Sequence, residues 1–262
     1  MASPLIICTE DDRGVVQLQL NRPDAFNAMS GELLTQLQAA IDSVAHSKTA
    51  RVVVLSASGK AFCAGHDLLE MRAHPSMDFY RTLFAQCSRM MLSLQALPVP
   101  VIAQVNGVAT AAGCQLVGMC DLAVASHISR FAVSGINLGL FCATPSVALT
   151  RNLPRKAAFE MLMTGDFITA EQALSKGLIN AVTSAEDLQA ETERLVQSIL
   201  NKPQVAVAMG KQLFYKQLET GMAQAYQLAE DTMACNMMDA TAQEGVQAFI
   251  DKRTPNWKPQ PT

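Results

Sequence analysis

Apolar and polar positions in the first part of the chain follow two different periods. Residues 15–20 alternate with a period of two, which is typical of a half-buried strand, and residues 51–55 form a short apolar run typical of a buried strand. Between them, apolar residues from 34 to 44 recur at helical spacing, and Ser30 can cap that helix. The pattern therefore predicts a strand, a helix and a second strand in succession.

The same reasoning extends along the chain. Further strands are predicted at 101–105, 122–125 and 178–182, and helices at 79–97, 111–120, 154–163 and 170–176. Strands separated by helices in this way predict α/β layering with mostly parallel pairing.

After residue 186 the pattern becomes entirely helical. Helices are predicted at 187–201, 204–219, 222–238 and 241–252. Because so few helices make only a thin bundle, we expect them to pack on the core and on neighbouring subunits. The predicted organisation is an α/β core over residues 1–200 and a helical region over residues 201–262.

Composition favours a large core and argues against several function classes. Of the 262 residues, 50% are apolar and only 16% are charged, which suggests that subunit contacts bury part of the surface. The net charge of −3 comes without a basic stripe, so nucleic acid is not an expected partner. No run of eighteen apolar residues predicts a membrane span, and the first residues do not resemble a signal peptide.

The seven cysteines and four histidines show no metal-ligand spacing, so no metal site is expected. The cysteine number is odd and no Cys-x-x-Cys pair occurs. We therefore expect buried thiols in a reducing compartment, either the cytoplasm or an organelle matrix.

Two loops of small residues carry the candidate chemistry, one at 60–68 and one at 107–115. Small residues let the backbone approach a ligand, and the start of a helix leaves N–H groups free to meet negative charge. A reaction that builds negative charge on a carbonyl oxygen needs fixed N–H donors, and two such loops can supply them.

Several motifs in order complete the pattern. They are Asn21-Arg22-Pro23, Phe62-Cys63-Ala64-Gly65-His66-Asp67-Leu68, Asn106-Gly107 with Gly113-Cys114, Cys120-Asp121-Leu122, and Ala248-Phe249 with Lys252-Arg253. Together they resemble the crotonase (enoyl-CoA hydratase/isomerase) superfamily. The resemblance implies a spiral of β-β-α units with a C-terminal helical trimerisation region, assembled as a homotrimer or a dimer of trimers. It also implies an acyl-CoA substrate and no metal or redox cofactor, with coenzyme A arriving as part of the thioester.

The resemblance assigns roles to individual positions. The backbone N–H groups of His66 and Ala112 correspond to the oxyanion donors. The two glutamates of hydratases correspond to Gln115 and Gly135, neither of which can move a proton. Cys142 lies near the place of a tyrosine in decarboxylases of the family. The resemblance thus implies the fold and the ligand class more firmly than it implies hydration.

Coenzyme A contacts are also implied by the resemblance. Arg22 and Lys252 match basic positions, and Lys252 is expected on the last helix, within reach of a neighbouring subunit's ligand. The expected contacts are completed by Phe26 and by five residues of the first loop, namely Ala64, Gly65, His66, Asp67 and Leu68.

Three functions stay open from the sequence. The chain is an enzyme acting on a CoA thioester through an oxyanion hole, a non-catalytic acyl-CoA-binding relative, or a purely structural trimer. Within the first function, His66 either lines the acyl pocket or contributes its N–H alone. Because methylmalonyl-CoA decarboxylase shares Ala-Gly-His-Asp with residues 64–67, decarboxylation with His66 is a further candidate reaction.

Overall fold

A computed structural model describes residues 4–257 of the chain. Residues 1–3 and 258–262 lie outside the described part. The start of the segment that does not resemble a signal peptide and the end of the predicted helical region are therefore not described. Between residues 4 and 257, no helix is long and apolar enough to cross a membrane.

Two sheets form the centre of the molecule. The six-stranded sheet has the order β1-β2-β3-β5-β7-β10, and the four-stranded sheet has the order β4-β6-β8-β9. The strands are β1 (Ile6–Glu10), β2 (Val15–Leu20), β3 (Val52–Ala57), β4 (Ala61–Cys63), β5 (Val101–Val105), β6 (Val108–Thr110), β7 (Leu122–Ser126), β8 (Arg130–Ala132), β9 (Ile168–Thr169) and β10 (Ala181–Thr183). Only the pairs β1–β2 and β8–β9 are antiparallel.

Eleven α-helices surround the sheets in the described range. They are α1 (Gly31–His46), α2 (Leu68–Ala73), α3 (Met77–Ala96), α4 (Ala112–Met119), α5 (Ala143–Asn152), α6 (Arg155–Thr164), α7 (Ala170–Lys176), α8 (Leu188–Leu200), α9 (Gln204–Leu218), α10 (Met222–Met237) and α11 (Ala240–Ile250). Short 3₁₀ turns lie at Pro23–Ala25 and Ser134–Leu138.

The chain repeats a strand–strand–helix unit that gives one strand to each sheet. The pairs β3 and β4, β5 and β6, and β7 and β8 each step from the six-stranded to the four-stranded sheet before a helix follows. This confirms the predicted α/β spiral of β-β-α units with an all-helical C-terminal region. The division into units near residue 200 stays a prediction.

Alternating side chains bury both faces of the larger sheet. On β2, Val16 and Leu18 point into the main core with the apolar face of α1, while Val15 points to the opposite face, where α8 places Leu188 and Val196. Because the strands are covered on both sides, their sequences read as nearly continuous apolar runs.

Two boundaries differ from the predictions for physical reasons. The strand predicted at 178–182 begins only at Ala181, because Gly177 adopts a left-handed conformation and Leu178 donates its N–H back to Ala173 to close α7. The last helix ends at Ile250, so Lys252 lies beyond it in a left-handed conformation (φ 57°) and not on the helix as predicted.

A buried ion pair fastens the C-terminal helices to the core. Lys211 on α9 donates to Asp121 Oδ2 at 2.7 Å and to the carbonyl groups of Leu94 and Val99. Tyr215, one turn later, donates to Asp121 Oδ1 at 2.7 Å. The Lys211 side chain is only 6% exposed, so all its partners come from the protein.

Replacing Lys211 with methionine should lower the free energy of unfolding by about 3–5 kcal/mol, because it leaves the Asp121 carboxylate buried without its cation. Chemical denaturation measures the loss. Lys216→Met on the exposed side of the same helix is the matched control and should change stability by less than about 0.5 kcal/mol. Equal effects of the two substitutions would contradict this account.

Candidate active site

The first loop leaves one backbone N–H unused. Met29 donates its N–H to Gly65 O at 2.7 Å, and Asp67 donates its N–H to Met29 O at 3.1 Å. These two bonds form a parallel bridge between Met29 and His66. Because backbone groups alternate in direction along an extended segment, the N–H of His66 points away from Met29. It donates no hydrogen bond within the described residues.

The second loop leads directly into α4, whose first backbone N–H group has no acceptor in the helix. Ala111 has φ 51° and ψ −120°, a left-handed conformation that residues with a Cβ rarely adopt. Immediately afterwards α4 begins at Ala112, and its first internal bond runs from Gln115 N–H to Ala111 O at 3.0 Å. The N–H of Ala112 therefore has no acceptor inside the helix.

The two loops are in contact at Gly65, where a side chain would not fit. A Cβ built on Gly65 would lie 2.9 Å from Ala111 Cβ, 3.3 Å from Thr110 O and 3.4 Å from Ala112 N. Gly65 itself has φ 97°, which also favours glycine. The residue that precedes His66 is therefore in direct contact with the start of α4.

Parallel pairing of β4 with β6 sets this approach. Ala61 pairs with Val108 and Cys63 with Ala109, so both strands end at the same edge of the sheet. A Cβ on Gly113 would lie 2.1 Å from Cys63 O, so α4 can begin this close to β4 only with glycine at that position. The structure thus brings together the two loops that the sequence singled out.

The His66 imidazole is a buried group without a hydrogen bond. Both ring nitrogens are shielded from solvent and have no hydrogen-bond partner among residues 4–257, and the ring packs edge-on against Phe84 at 5.3 Å between centroids. Burial lowers the pKa of His66 to about 4, and the backbone of Met29 offsets this only in part. The side chain is therefore neutral at physiological pH, with one donor and one acceptor nitrogen.

Gln115 and Gly135 supply no ionised group. Gln115 is 4% exposed, and its Oε1 has no hydrogen-bond partner. A Cβ on Gly135 would lie 2.6 Å from Leu140 O and 2.7 Å from Cys142 Sγ, so a larger side chain there requires the backbone to move. Cys142 donates its thiol to a backbone carbonyl at 3.5 Å, and burial raises its pKa, so it is protonated at neutral pH.

Sequence reasoning did not anticipate one hydroxyl pair beside the second loop. Thr110, the last residue of β6, and Ser134, next to Gly135, share a hydrogen bond of 2.9 Å between their hydroxyl oxygens. No local pattern in the sequence links Ser134 to Thr110, which lies 24 residues earlier in the chain.

Only some of the residues predicted to contact coenzyme A lie close together in the structure. Phe26 is 56% exposed beside the first loop, and its carbonyl accepts the N–H of Ala64 at 3.0 Å. Leu68 is 52% exposed at the start of α2. Arg22 lies against the same loop through Asp67, at 2.6 Å. No hydrogen bond or ion pair within the described residues joins Lys252 to these groups, so the structure leaves its role as a prediction.

A cavity opens next to α2. Its volume is about 580 Å³, and Met71, Tyr80, Leu138 and Leu140 are among its lining residues. Met90 on α3 is fully buried in the core and is not among the residues that line this cavity.

Comparison with known proteins identifies the family. A sequence profile of the enoyl-CoA hydratase/isomerase family matches residues 10–260. The chain belongs to the enoyl-CoA hydratase/isomerase family. This confirms the family suggested by the ordered motifs.

Several members of the enoyl-CoA hydratase/isomerase family are similar over nearly the whole chain. The human enoyl-CoA hydratase domain-containing protein 3, mitochondrial, is 44% identical over 95% of this chain and 82% of its own length. Its crystal structure superposes with a TM-score of 0.93 at 43% identity, covering 97% of this chain and all of that one. An enoyl-CoA hydratase from Mycobacterium smegmatis gives a TM-score of 0.96 at 59% identity, covering 97% and 99% of the two chains.

The low pKa of His66 predicts a specific loss of stability in acid. An unfolded histidine titrates near 6.5, whereas folded His66 titrates near 4, so the unfolded chain binds the extra proton first. The stabilisation is complete above about pH 6.5 and is lost progressively as the pH falls to about 4, by at most about 3 kcal/mol. Urea unfolding of the native protein and of His66→Gln across this range measures it. A variant with the same pH dependence as the native protein would contradict the prediction.

Proposed function

We propose that this member of the enoyl-CoA hydratase/isomerase family binds acyl-CoA and polarises the thioester carbonyl with the backbone N–H groups of His66 and Ala112. The observation that carries the proposal is the contact of the two loops at Gly65, which brings two unused N–H groups to one place. Backbone donors suit this task because they neither titrate nor swing away.

The start of a helix strengthens one of the two donors. The N–H of Ala112 begins α4, where the helix dipole favours negative charge. A single oxyanion donor contributes about 3–4 kcal/mol to stabilising such charge in enzymes of this kind. The two amides would therefore favour an enolate form of the bound thioester.

The site is poorly suited to hydration. In hydratases the positions of Gln115 and Gly135 carry the two glutamates that hold and move protons, by the resemblance described above. Here one is an amide without a titrating proton, and the other has no room for a side chain. We infer that the reaction, if the protein is an enzyme, does not begin with a carboxylate base.

Decarboxylation of a malonyl-type thioester is the candidate reaction that this site favours. The bond to the carboxylate breaks, CO₂ leaves, and the electron pair forms the enolate that the two amides stabilise. A proton from water then completes the product at the α-carbon, because His66 is neutral and has no imidazolium proton to give. The buried, unpartnered nitrogens of His66 favour this candidate, because they can hydrogen-bond to a carboxylate without a base at the first step.

A non-catalytic acyl-CoA-binding protein is the alternative. It requires the same two amides and the same coenzyme A contacts, with Arg22 and Lys252 as predicted cations for the phosphates, and no metal or redox cofactor. Because close relatives are named as mitochondrial proteins and all seven thiols are unpaired, we place the protein in a reducing compartment.

A panel of thioesters tests the function directly. Crotonyl-, 3-enoyl-, malonyl-, methylmalonyl- and 3-hydroxyacyl-CoA are each incubated with the protein and followed by mass spectrometry. We expect loss of CO₂ from a malonyl-type thioester and little hydration of crotonyl-CoA. His66→Ala should slow the loss of CO₂ by about 10–100-fold, because it removes a hydrogen bond to the substrate carboxylate.

The outcomes separate the candidates. Binding of thioesters without any turnover supports the non-catalytic protein, and absence of binding removes both. Hydration that survives in His66→Ala would show that another acid–base group exists.

We also propose that the C-terminal helices form a trimer interface. Large apolar side chains remain exposed on α9, α10 and α11, namely Phe214, Met222, Tyr226, Met233 and Phe249. A monomer rarely exposes so many large apolar groups in one region.

Sedimentation equilibrium measures the assembly. The native protein should behave as a trimer or a pair of trimers, and Tyr226→Asp with Phe249→Asp should shift it toward the monomer. Lys216→Asp, a charged-to-charged exchange on α9, is the control. A native monomer at micromolar concentration would refute the interface.

A further inference from the structure

The side chain of Arg22 is held inside the protein at the first loop. Arg22 Nη1 donates to Asp67 Oδ2 at 2.6 Å and to the carbonyl of Ala28 at 3.1 Å. Its side chain is 30% exposed and that of Asp67 only 10%, so solvent screens this ion pair less than a surface pair.

Asp67 uses its two oxygens for two different tasks. Oδ1 accepts the N–H groups of Leu69 and Glu70 at 3.0 and 3.1 Å, which caps the start of α2. Oδ2 receives Arg22. Burial alone would raise the pKa of Asp67, but Arg22 and the two amides outweigh it and hold the pKa below its usual value. The carboxylate is therefore charged and fully occupied.

These contacts fix the residue beside His66 on both sides. The backbone N–H of Asp67 bonds to Met29 O, and its side chain is fixed by Arg22 and by α2. Since Gly65 is also bonded to Met29, the peptide on each side of His66 has a defined orientation. The free N–H of His66 then has one direction only, set by its neighbours.

We propose that Arg22 is a positioning residue that acts through Asp67 to aim the His66 N–H at the thioester oxygen. The inference rests on the proposed oxyanion site. It differs from the expectation that Arg22 binds a phosphate of coenzyme A, because Arg22 then affects the acyl end of the ligand and not its nucleotide end.

Butyryl-CoA labelled with ¹³C at the thioester carbonyl separates the two roles, since a saturated acyl group cannot be hydrated. Isotope-edited infrared spectroscopy, at a butyryl-CoA concentration that fills the site, measures the carbonyl stretching frequency and so reports carbonyl polarisation. Titration with CoA alone measures its dissociation constant and so reports phosphate binding. In Arg22→Met we expect the downward shift of the carbonyl stretch to fall to about half or less, because one of two donors is misdirected. The affinity for CoA alone should stay within about fivefold.

Three further variants complete the design. Arg22→Lys keeps a cation for Asp67 and should retain most of the shift. Asp67→Asn keeps a capping oxygen for α2 but lacks the charge for Arg22, so it should lose the shift as Arg22→Met does. Arg151→Met removes an arginine from an exposed ion pair with Glu219 and should leave the spectrum unchanged.

Each result decides the proposal. An unchanged carbonyl shift in Arg22→Met and Asp67→Asn overturns it, and a drop of about tenfold or more in CoA affinity with the shift retained assigns Arg22 to a phosphate. Absence of any carbonyl shift in the native complex would instead contradict the proposed oxyanion site, and this proposal would fail with it.

Discussion

The close parallel approach of β4 and β6 is the constraint on which the site depends. At the end of these strands the backbones of the two loops come so close that only glycine fits at the points of contact. Gly113 meets Cys63 O where a Cβ would lie at 2.1 Å, and Gly65 meets the first residues of α4. The N–H groups of His66 and Ala112 lie beside this contact, and in the proposed site they would be preorganised donors that need no rearrangement when charge develops.

Contacts with neighbouring strands and side chains fix the conformation of these two loops. Ala111 keeps a strained backbone conformation, which persists only where surrounding contacts over-determine it. Those contacts include its own N–H, which donates to Ala132 of the adjacent strand β8. On the other loop, Arg22 pairs with Asp67, the residue that follows His66. Rigidity at the site is thus assembled from hydrogen bonds to the backbone, and the apolar core contributes by fixing the strands that carry it.

Sequence reasoning succeeded where a pattern is long or where glycine is required. The helical spacing that begins at Leu34 predicted α1, and the small residues of the two loops predicted where they would meet. It failed for β4, β6 and β8, because three-residue strands are too short to show a period. It also missed the partnership of Asp121 with Lys211, since the two lie 90 residues apart and neither position has a local signal.

The candidate chemistry follows from what the site can and cannot ionise. Cys142 is protonated and Gln115 does not titrate, so neither can take a proton from a substrate carbon as a carboxylate would, and His66 is a neutral imidazole of low basicity. In the proposed site the two amides would still stabilise an enolate once it exists. A reaction that generates the enolate by losing CO₂ matches this combination, because the electron pair comes from the breaking carbon–carbon bond. The resemblance implies that Gln115 and Gly135 stand where hydratases carry glutamates, and a site without those two carboxylates would repel an anionic acyl group less, which agrees with the malonyl-type substrate proposed above.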